Sequence, residues 1–506
     1  MRDLLRHPFI LAALIFMVGG GLILLVTPDP KPPWPVVYWV TEPLPTHRNS
    51  IPLFRQWRQE QDIPWFELRL DTTDQRLPKV LIQGVSGYAA DIVGIANSTD
   101  LRKYVSLGIL DALNGNPEKL THHKNRTYPA AETEISIGGQ QYAFPTLLDV
   151  DMLFVNRDAF EQRGLNPPPV RWTLDDFEAL ALKFQTAAGD KTGQPAYFCS
   201  KLPRNVLRRG QGISLFNETL TTCTLDVPEH VELLKRLRHW EVTRGFVPAR
   251  KSLSDPTADA ETDSALLDLF AAGEMPLLLG GRNTLRRLRR RRTVRNLDIV
   301  EIPHGGFPNT AIHLQAAGLY AQSDHKELAS TFLDFLTSVP YNMKVVRECR
   351  GLPPVPKYAK QDAFRRPPNH PEEWGIHEGL ANAAEELAVA GAHSPFVMPS
   401  TVERIEEEMY EAFLLGNYTA SEAAEKMTAR VNAEIADTLK NEPDKRQRYD
   451  ELAGLQERIE GRRAENRPVP RDWIINPFHK QYYGNQGWLE TNVNGKEPTA
   501  GTTEGE

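Results

Sequence analysis

Apolar residues first gather in one unbroken block, FILAALIFMVGGGLILLV, Phe9 to Val26, 18 consecutive residues without a charge. At about 1.5 Å rise per residue this makes roughly 27 Å of helix, close to the hydrocarbon thickness of a bilayer. Arg2 and Arg6 precede the block, which predicts a cytoplasmic amino terminus and an extracytoplasmic body after Pro28. The run is longer than the usual apolar segment of a signal peptide, and no small-x-small site clearly follows it, so an uncleaved single-pass anchor is expected. No second such run exists, which excludes a channel or permease.

After the proline-stiffened spacer DPKPPWP the pattern changes to short apolar strands alternating with amphipathic helices. VVYWV, WFELRL and ADIVGIA predict strands, with helices through SIPLFRQWRQEQ and LPKVLIQGVSG between them. That βαβαβ rhythm implies a parallel sheet whose ligand sites lie beyond the carboxyl ends of the strands, here in TEPLP and NSTDL. A second block, from about Asp149 to Phe270, holds strand MLFVN, helix TLDDFEALALKFQTA capped by Thr173, strand PAYFCS and helix VPEHVELLKRLRHWEV. PLLLGGR, LDIVEIP and AAGLYAQ predict three more strands, followed by helices in ELASTFLDFLTS and STVERIEEEMYEAFLLG. The stretch 441–490 is charged and helical, then aromatic in DWIINPFHKQYYGNQGW; 491–506 has the composition of a disordered tail.

With 506 residues, 41% hydrophobic and 25% charged, the chain can build two or three ordinary cores. Its net charge of -7 argues against nonspecific nucleic-acid binding. Within the second block, LLDVDMLFV reads as a buried strand yet carries Asp149 and Asp151, and a buried carboxylate needs a partner. Cys199 and Cys223 flank one segment and are a disulfide candidate in an oxidising compartment, with Cys349 left free; three small core residues are the alternative.

Five segments in order carry a family likeness: KVLIQGVSGYAADIVGI with LRKYVSLGILDALN; QYAFPTLLDVDMLFVNRDAFEQRGLNPPPVRWTLDDFEAL; LFAAGEMPLLLGGR; DHKELASTFLDFLTS with GLPPVPKYA; and LLGNYTASEAAEKMTARVN. Together they resemble family 1 of the extracellular solute-binding proteins of ABC importers, over roughly Val36 to Leu439. The resemblance implies an α/β, bilobal periplasmic-binding-protein fold of type II, two α/β lobes with hinge crossings, preceded here by the N-terminal transmembrane helix. It divides the chain into 1–35 as cytoplasmic stub, anchor and spacer, 36–146 with 277–318 as lobe one, 147–276 with 319–440 as lobe two, a 441–490 extension and the 491–506 tail. Crossings are expected near Thr146, Leu277 and Gly318.

The same resemblance supplies candidate ligand contacts. Asp149 falls where relatives place an acid facing the cleft, with Asp151 beside it as a contact or a hinge acid paired to a cation. Glu42 follows the first strand, and Asn97 and Ser98 follow the third, as contacts or helix-starting residues. Arg282 stands where the family frequently has a tryptophan, which points to an anionic sugar acid. Glu403 matches a cleft-lining region, and Trp172 a tryptophan that packs a helix start. The run Arg282 to Arg295 contains eight arginines, expected as a solvated face or a contact for anionic lipid or an acidic partner.

No GxSxG elbow, HExxH, P-loop or clustered metal ligand spacing is found, so no catalytic residue, cofactor or metal is expected. Asp149 and Asp151 would sit about 7 Å apart on a strand, compatible on distance with an inverting glycosidase pair, but nothing else supports a hydrolase. The expected function is the capture of a carbohydrate or sugar acid for ABC permease subunits, energy coming from a separate ATPase. A ligand sensor for a membrane receptor is the alternative.

Overall fold

The computed structural model describes residues 32–72, 79–113, 126–188, 196–248, 256–291 and 296–490. The expected membrane span at Phe9 to Val26, the tail, and Arg292 and Arg295 of the basic run lie outside the described residues. Among the described residues no helix is long and apolar enough to cross a membrane.

In chain order, the elements that position the site are strand β1 (Val36–Thr41), helix α1 (Pro45–Glu60), β2 (Glu67–Thr72), β3 (Ile92–Ile95), α2 (Ser98–Ser106), β4 (Ala143–Val150), β5 (Met152–Asn156) and α3 (Arg204–Gly210). They continue with β6 (Leu277–Gly280), α4 (Asn283–Arg289), β7 (Leu297–Val300), β8 (Thr310–Leu319), α5 (Lys326–Leu336), α6 (Val339–Glu348), β9 (Ala388–Val389), α7 (Pro399–Leu414) and α8 (Ala420–Asn441). Two helices close the described chain, α9 (Pro443–Ala464) and α10 (Pro477–Gln486).

The first sheet runs β9-β8-β3-β1-β2, with β4 also paired to β8. β1 is parallel to both β2 and β3, as the alternating pattern requires. Trp39, on β1, buries its ring against Phe332 of α5 with centroids 4.6 Å apart, and Phe54 of α1 meets Phe335 at 5.4 Å. These rings fill the space between sheet and helices in lobe one. The second sheet is β6-β5-β7, with β5 antiparallel to both neighbours. Lobe two is packed around Phe177, Phe198 and Trp240, and its helix at Leu174 starts under Trp172, which is 2% exposed and donates from Nε1 to Glu301 O at 2.8 Å.

Three expectations are corrected here. β6 and β7 pair with β5, so the chain does not return to lobe one at Leu277; it crosses at 301–309, between β7 and β8. Residues 319–348 belong to lobe one, because α5 and α6 pack on its sheet. PAYFCS forms no strand, only an isolated bridge between Cys199 and Leu277. The first crossing is Asp151, which separates β4 from β5, and the third follows β9 and ends at α7.

The disulfide expectation is corrected too: Cys199 and Cys223 are free. Cys199 is held beside β6 and its Sγ lies 3.4 Å from Lys201 O, whereas the backbone of Cys223 is gripped by the Asn432 side chain at 2.8 and 3.2 Å. Burial pushes both thiols up to about 12, so they behave as small core residues.

Asp149 and Arg282 meet at the hinge, but neither as expected. Asp149 Oδ1 accepts the backbone N–H of Arg282 at 2.8 Å and of Val150 at 3.1 Å. Gly281 lies so close that an added Cβ would sit 2.1 Å from that oxygen. One carboxylate oxygen of Asp149 is thus held by the chain's own amides. Burial is the largest influence on the carboxyl and raises it to about 6, against the lowering effect of the two N–H bonds. The Arg282 side chain points away from the cleft: it is 1% exposed and donates to Val346 O at 2.9 Å, Gly351 O at 2.9 Å, Val345 O at 3.3 Å and His377 Nδ1 at 3.1 Å. Its guanidinium also lies 4.3 Å from the Phe364 ring. It staples three carbonyls at the end of α6 and gives no ground for an anionic ligand. Elsewhere in the described basic run, Arg289 is forked onto Glu373 at 2.7 Å and Arg291 bonds Asp268 at 2.5 Å, while Arg290 is exposed.

A carboxyl raised on folding binds protons more tightly in the native state, so Asp149 lowers stability as pH rises from about 4 through about 6. Asp149→Asn keeps an acceptor for both N–H groups without the buried charge. Its unfolding free energy relative to the parent is expected to shift in its favour between pH 4 and pH 7, by at most about 3 kcal/mol. Calorimetry showing the opposite trend would mean that the ionised carboxylate stabilises the hinge.

Candidate functional site

The cleft between the lobes opens on Asp151. Because β4 ends at Val150 and β5 begins at Met152, Asp151 escapes strand alternation and does not share the environment of Asp149. Its Oδ2 lies 2.8 Å from Nε2 of His313, a residue on β8 whose side chain is 59% exposed. Asp151 is thus a hinge acid with a cationic partner, but the partner is a histidine. The neighbouring carboxylate raises the His313 imidazole above its ordinary value, against the opposing effect of desolvation.

Asp151 and His313 line a cavity of about 430 Å³ with Lys201, Arg204, Glu241, Glu403 and Glu406. A smaller chamber of about 170 Å³ shares Asn205, Glu403 and Glu406 with it and reaches in to Arg208, Arg209 and His393. The walls are held by ion pairs from α3 to α7: Arg208 to Glu406 at 2.5 Å, and Arg204 to Glu407. Burial opposes ionisation of Glu406, but Arg208 and Arg204 outweigh it and hold the carboxyl below its ordinary range. Arg204 also lies 4.1 Å from the Tyr410 ring, and the Tyr410 hydroxyl donates to Glu241 at 2.8 Å. These side chains are fixed by one another before any ligand arrives, which limits the ordering entropy that binding would cost.

Glu403 projects from α7 into both cavities and accepts a hydrogen bond from the Thr99 hydroxyl of α2 at 2.9 Å. This bond joins the lobes directly. Asn97 caps α2, its side chain accepting from Asp100 N at 2.9 Å, and Ser98 is the first helical residue. Both serve the helix that carries Thr99 to the cleft. Glu42 follows β1, where its Oε2 lies 3.5 Å from Gln315 Nε2 on the hinge strand, and it lines neither cavity. Of the expected contacts, the structure brings Asp151 and Glu403 together; Glu42, Asn97 and Ser98 lie on the lobe-one side; Asp149 is half-buried against the amides of Arg282 and Val150, and the Arg282 side chain turns inward.

Lys201, Arg204, Glu241, Glu406 and His313 were missed in the sequence. His313 carried a signal: it is the one ionisable residue in the otherwise apolar TAIHLQAAGL. KLPRNVLRR carried another, a cationic cluster following the buried FCS. A different cluster, Cys349, Glu373 and His377, brings potential metal donors within 4.8 Å of one another. The cations there are the chain's own, since Glu373 is forked by Arg289 and His377 lies between Glu373 at 2.9 Å and Arg282.

The fold superposes on those of solved binding proteins. An ABC substrate-binding protein of Listeria monocytogenes, solved with cycloalternan, superposes with a TM-score of 0.64 at 21% identity, covering 79% of this chain and 98% of that one. A solute-binding protein of Thermotoga lettingae bound to alpha-D-tagatose gives 0.62 at 18%, covering 79% and 100%. A cyclo/maltodextrin-binding protein complexed with maltotetraose gives 0.60 at 18%, covering 82% and 100%. In sequence, a binding protein of Brucella abortus (strain 2308) is 22% identical over 309 residues, 60% of this chain and 69% of that one. The family model for bacterial extracellular solute-binding proteins matches residues 72–372, more than half of the chain and both sides of the cleft, so the chain belongs to that family.

Proposed function

We propose that the protein captures a carbohydrate in the cleft around Asp151, His313 and Glu403 and presents it to the permease of an ABC importer. The observation that carries this reading is a polar cavity of lobe two that opens on Asp151 and His313 at the hinge, with Glu403 of its wall bonded to Thr99 of lobe one. Among the described residues no Phe, Tyr or Trp lines the 430 Å³ cavity, so recognition rests on hydrogen bonds between charged groups and hydroxyls rather than on stacking over such rings. A ligand that touches Asp151 at the hinge and Glu403 on lobe two, and displaces or joins Thr99 on lobe one, binds the closed form more tightly. It shifts the population by that differential affinity. The ligands named for the structural relatives, cycloalternan, tagatose and maltotetraose, favour a neutral polyol. Non-enzymatic binding is the simpler role for this pocket, since each acid facing it is already paired to a cation or a hydroxyl.

We also infer that Phe9 to Val26 tethers the body to the membrane, leaving the lobes in the extracytoplasmic space beside the permease. This follows from the length of the apolar run and the two arginines before it.

A thermal-shift screen over mono-, oligo- and cyclic saccharides should find a ligand, and one present at a hundred times its dissociation constant stabilises by about 2.7 kcal/mol. With that ligand, Asp151→Ala and Glu403→Ala are each expected to weaken calorimetric affinity by about tenfold to a hundredfold, with folding retained. Unchanged affinity in both variants would remove the cleft assignment. For the tether, amino-terminal sequencing of the protein extracted from membranes is expected to begin upstream of Phe9; a start after Pro28 would show a cleaved leader.

A further inference from the structure

The family match ends at 372, and the helices after Asn441 have no part in either sheet. Such a stretch can dock outward or pack back onto the lobes. It packs back, onto lobe two and onto two of the three hinge crossings.

Its attachment to lobe two is polar and buried. Glu218, 3% exposed, accepts from Arg463 at 2.8 Å, from Gln456 at 2.8 Å and from the Tyr483 hydroxyl, while its carbonyl accepts Ile475 N at 2.9 Å and Asn476 N at 2.8 Å. Asn476, 0% exposed, donates to Ser214 Oγ at 2.8 Å, Phe216 O at 2.9 Å and Asn217 O at 3.1 Å, and caps α10 by accepting from Phe478 N. That cap fixes where the first turn of α10 points. It points at the hinge. Phe478 is fully buried with its ring edge-on to Phe307, centroids 5.6 Å apart, and Tyr482 stacks on Phe478 and also meets Phe307 at 5.4 Å. Phe307 lies in the second crossing. Val389 of β9, where the third crossing begins, completes the cluster, and Tyr449 of α9 packs on Phe396 further along that crossing at 5.1 Å.

We propose that this extension is a strut across the hinge that favours the closed arrangement of the lobes. This rests on the closing motion invoked under the proposed function, but not on the identity of the ligand. The contacts to Phe307, Val389 and Phe396 are made while Thr99 and Glu403 join the lobes. Hinge bending alters the backbone of the segments that carry those rings, so contacts fitted to the closed arrangement are lost or loosened on opening. Contacts made in one state and weakened in the other shift the equilibrium toward the first. The ligand-free protein is then closed more of the time than its two lobes alone would be, and binds its ligand more tightly by the same factor.

The test uses the full chain without any ligand. Tyr482→Ala is the mild variant and Phe478→Ala combined with Tyr482→Ala the strong one; Ile459→Ala, within the extension's own small core and away from the hinge, is the control. Solution scattering should show a larger radius of gyration for both hinge-facing variants than for parent and control. Amide exchange over 302–312 and 386–397 should quicken at least fivefold, with 452–469 unchanged. An unchanged radius and unchanged hinge exchange in Tyr482→Ala would overturn the proposal. So would equal opening in Ile459→Ala, which would show general loosening rather than a strut. A missing saccharide ligand would bear on the proposed function and leave these readouts intact.

Discussion

Three segments of backbone pass between the lobes, and each must bend while its donors and acceptors stay satisfied out of water. That constraint shapes the hinge. Arg209 of α3 is the central device: 7% exposed, it donates to Asn309 Oδ1 at 3.0 Å, Val389 O at 3.0 Å and Thr310 O at 3.3 Å, so a single guanidinium binds the second and third crossings together. Burial lowers it to about 10, which leaves it charged at neutral pH. The first crossing is served by Asp149 on its amide side and by Thr310, whose hydroxyl donates to Asp151 O at 2.5 Å. Side-chain partners of this sort can follow a rotating carbonyl, whereas a sheet ladder would have to break. The polar residues at the hinge are there because a flexible backbone needs flexible partners.

The same constraint separates what the sequence displayed from what it concealed. β1, α1, β2 and β3 were plain from periodicity, because each buries one face locally and the apolar spacing records it. The membership of LLLG and LDIV in the second sheet was not, since a run of buried apolar residues reads alike in either lobe and only long-range pairing with β5 decides the matter. Placing the return crossing at Leu277 therefore misassigned two strands and, in turn, α5 and α6. The bulge opposite Gln315 and Ala316, where Pro145 has no N–H to offer β8, was written in the sequence but gave no hint of its partner.

Site residues followed a similar division. Two acids two positions apart on one strand should share a face, and the argument failed because the strand stops between them. Asp149 is tucked under Gly281, Asp151 looks into the cleft, and the difference lies in one unpaired residue. Glu403 lies on a helix of many glutamates, and what distinguishes it is a hydroxyl brought from lobe one 304 positions away. Arg282 misled for the opposite reason: the chemistry suited to an anion is equally suited to three backbone carbonyls, and sequence carries no sign of which is nearer.

Family resemblance names the lobes and the cleft, but it ends before the helices that grip the hinge. Here part of the open-to-closed balance lies in Phe307, Phe478 and Tyr482 at the hinge, Phe478 also forming part of the lining of the smaller chamber. Placing it there separates two properties that otherwise trade against each other: the cleft can be lined with ionised groups chosen for recognition, while apolar contacts at the hinge supply the closing bias. A polar cleft gains most from preorganisation; the ion pairs of its walls supply part of it, and the apolar strut at the hinge adds to it.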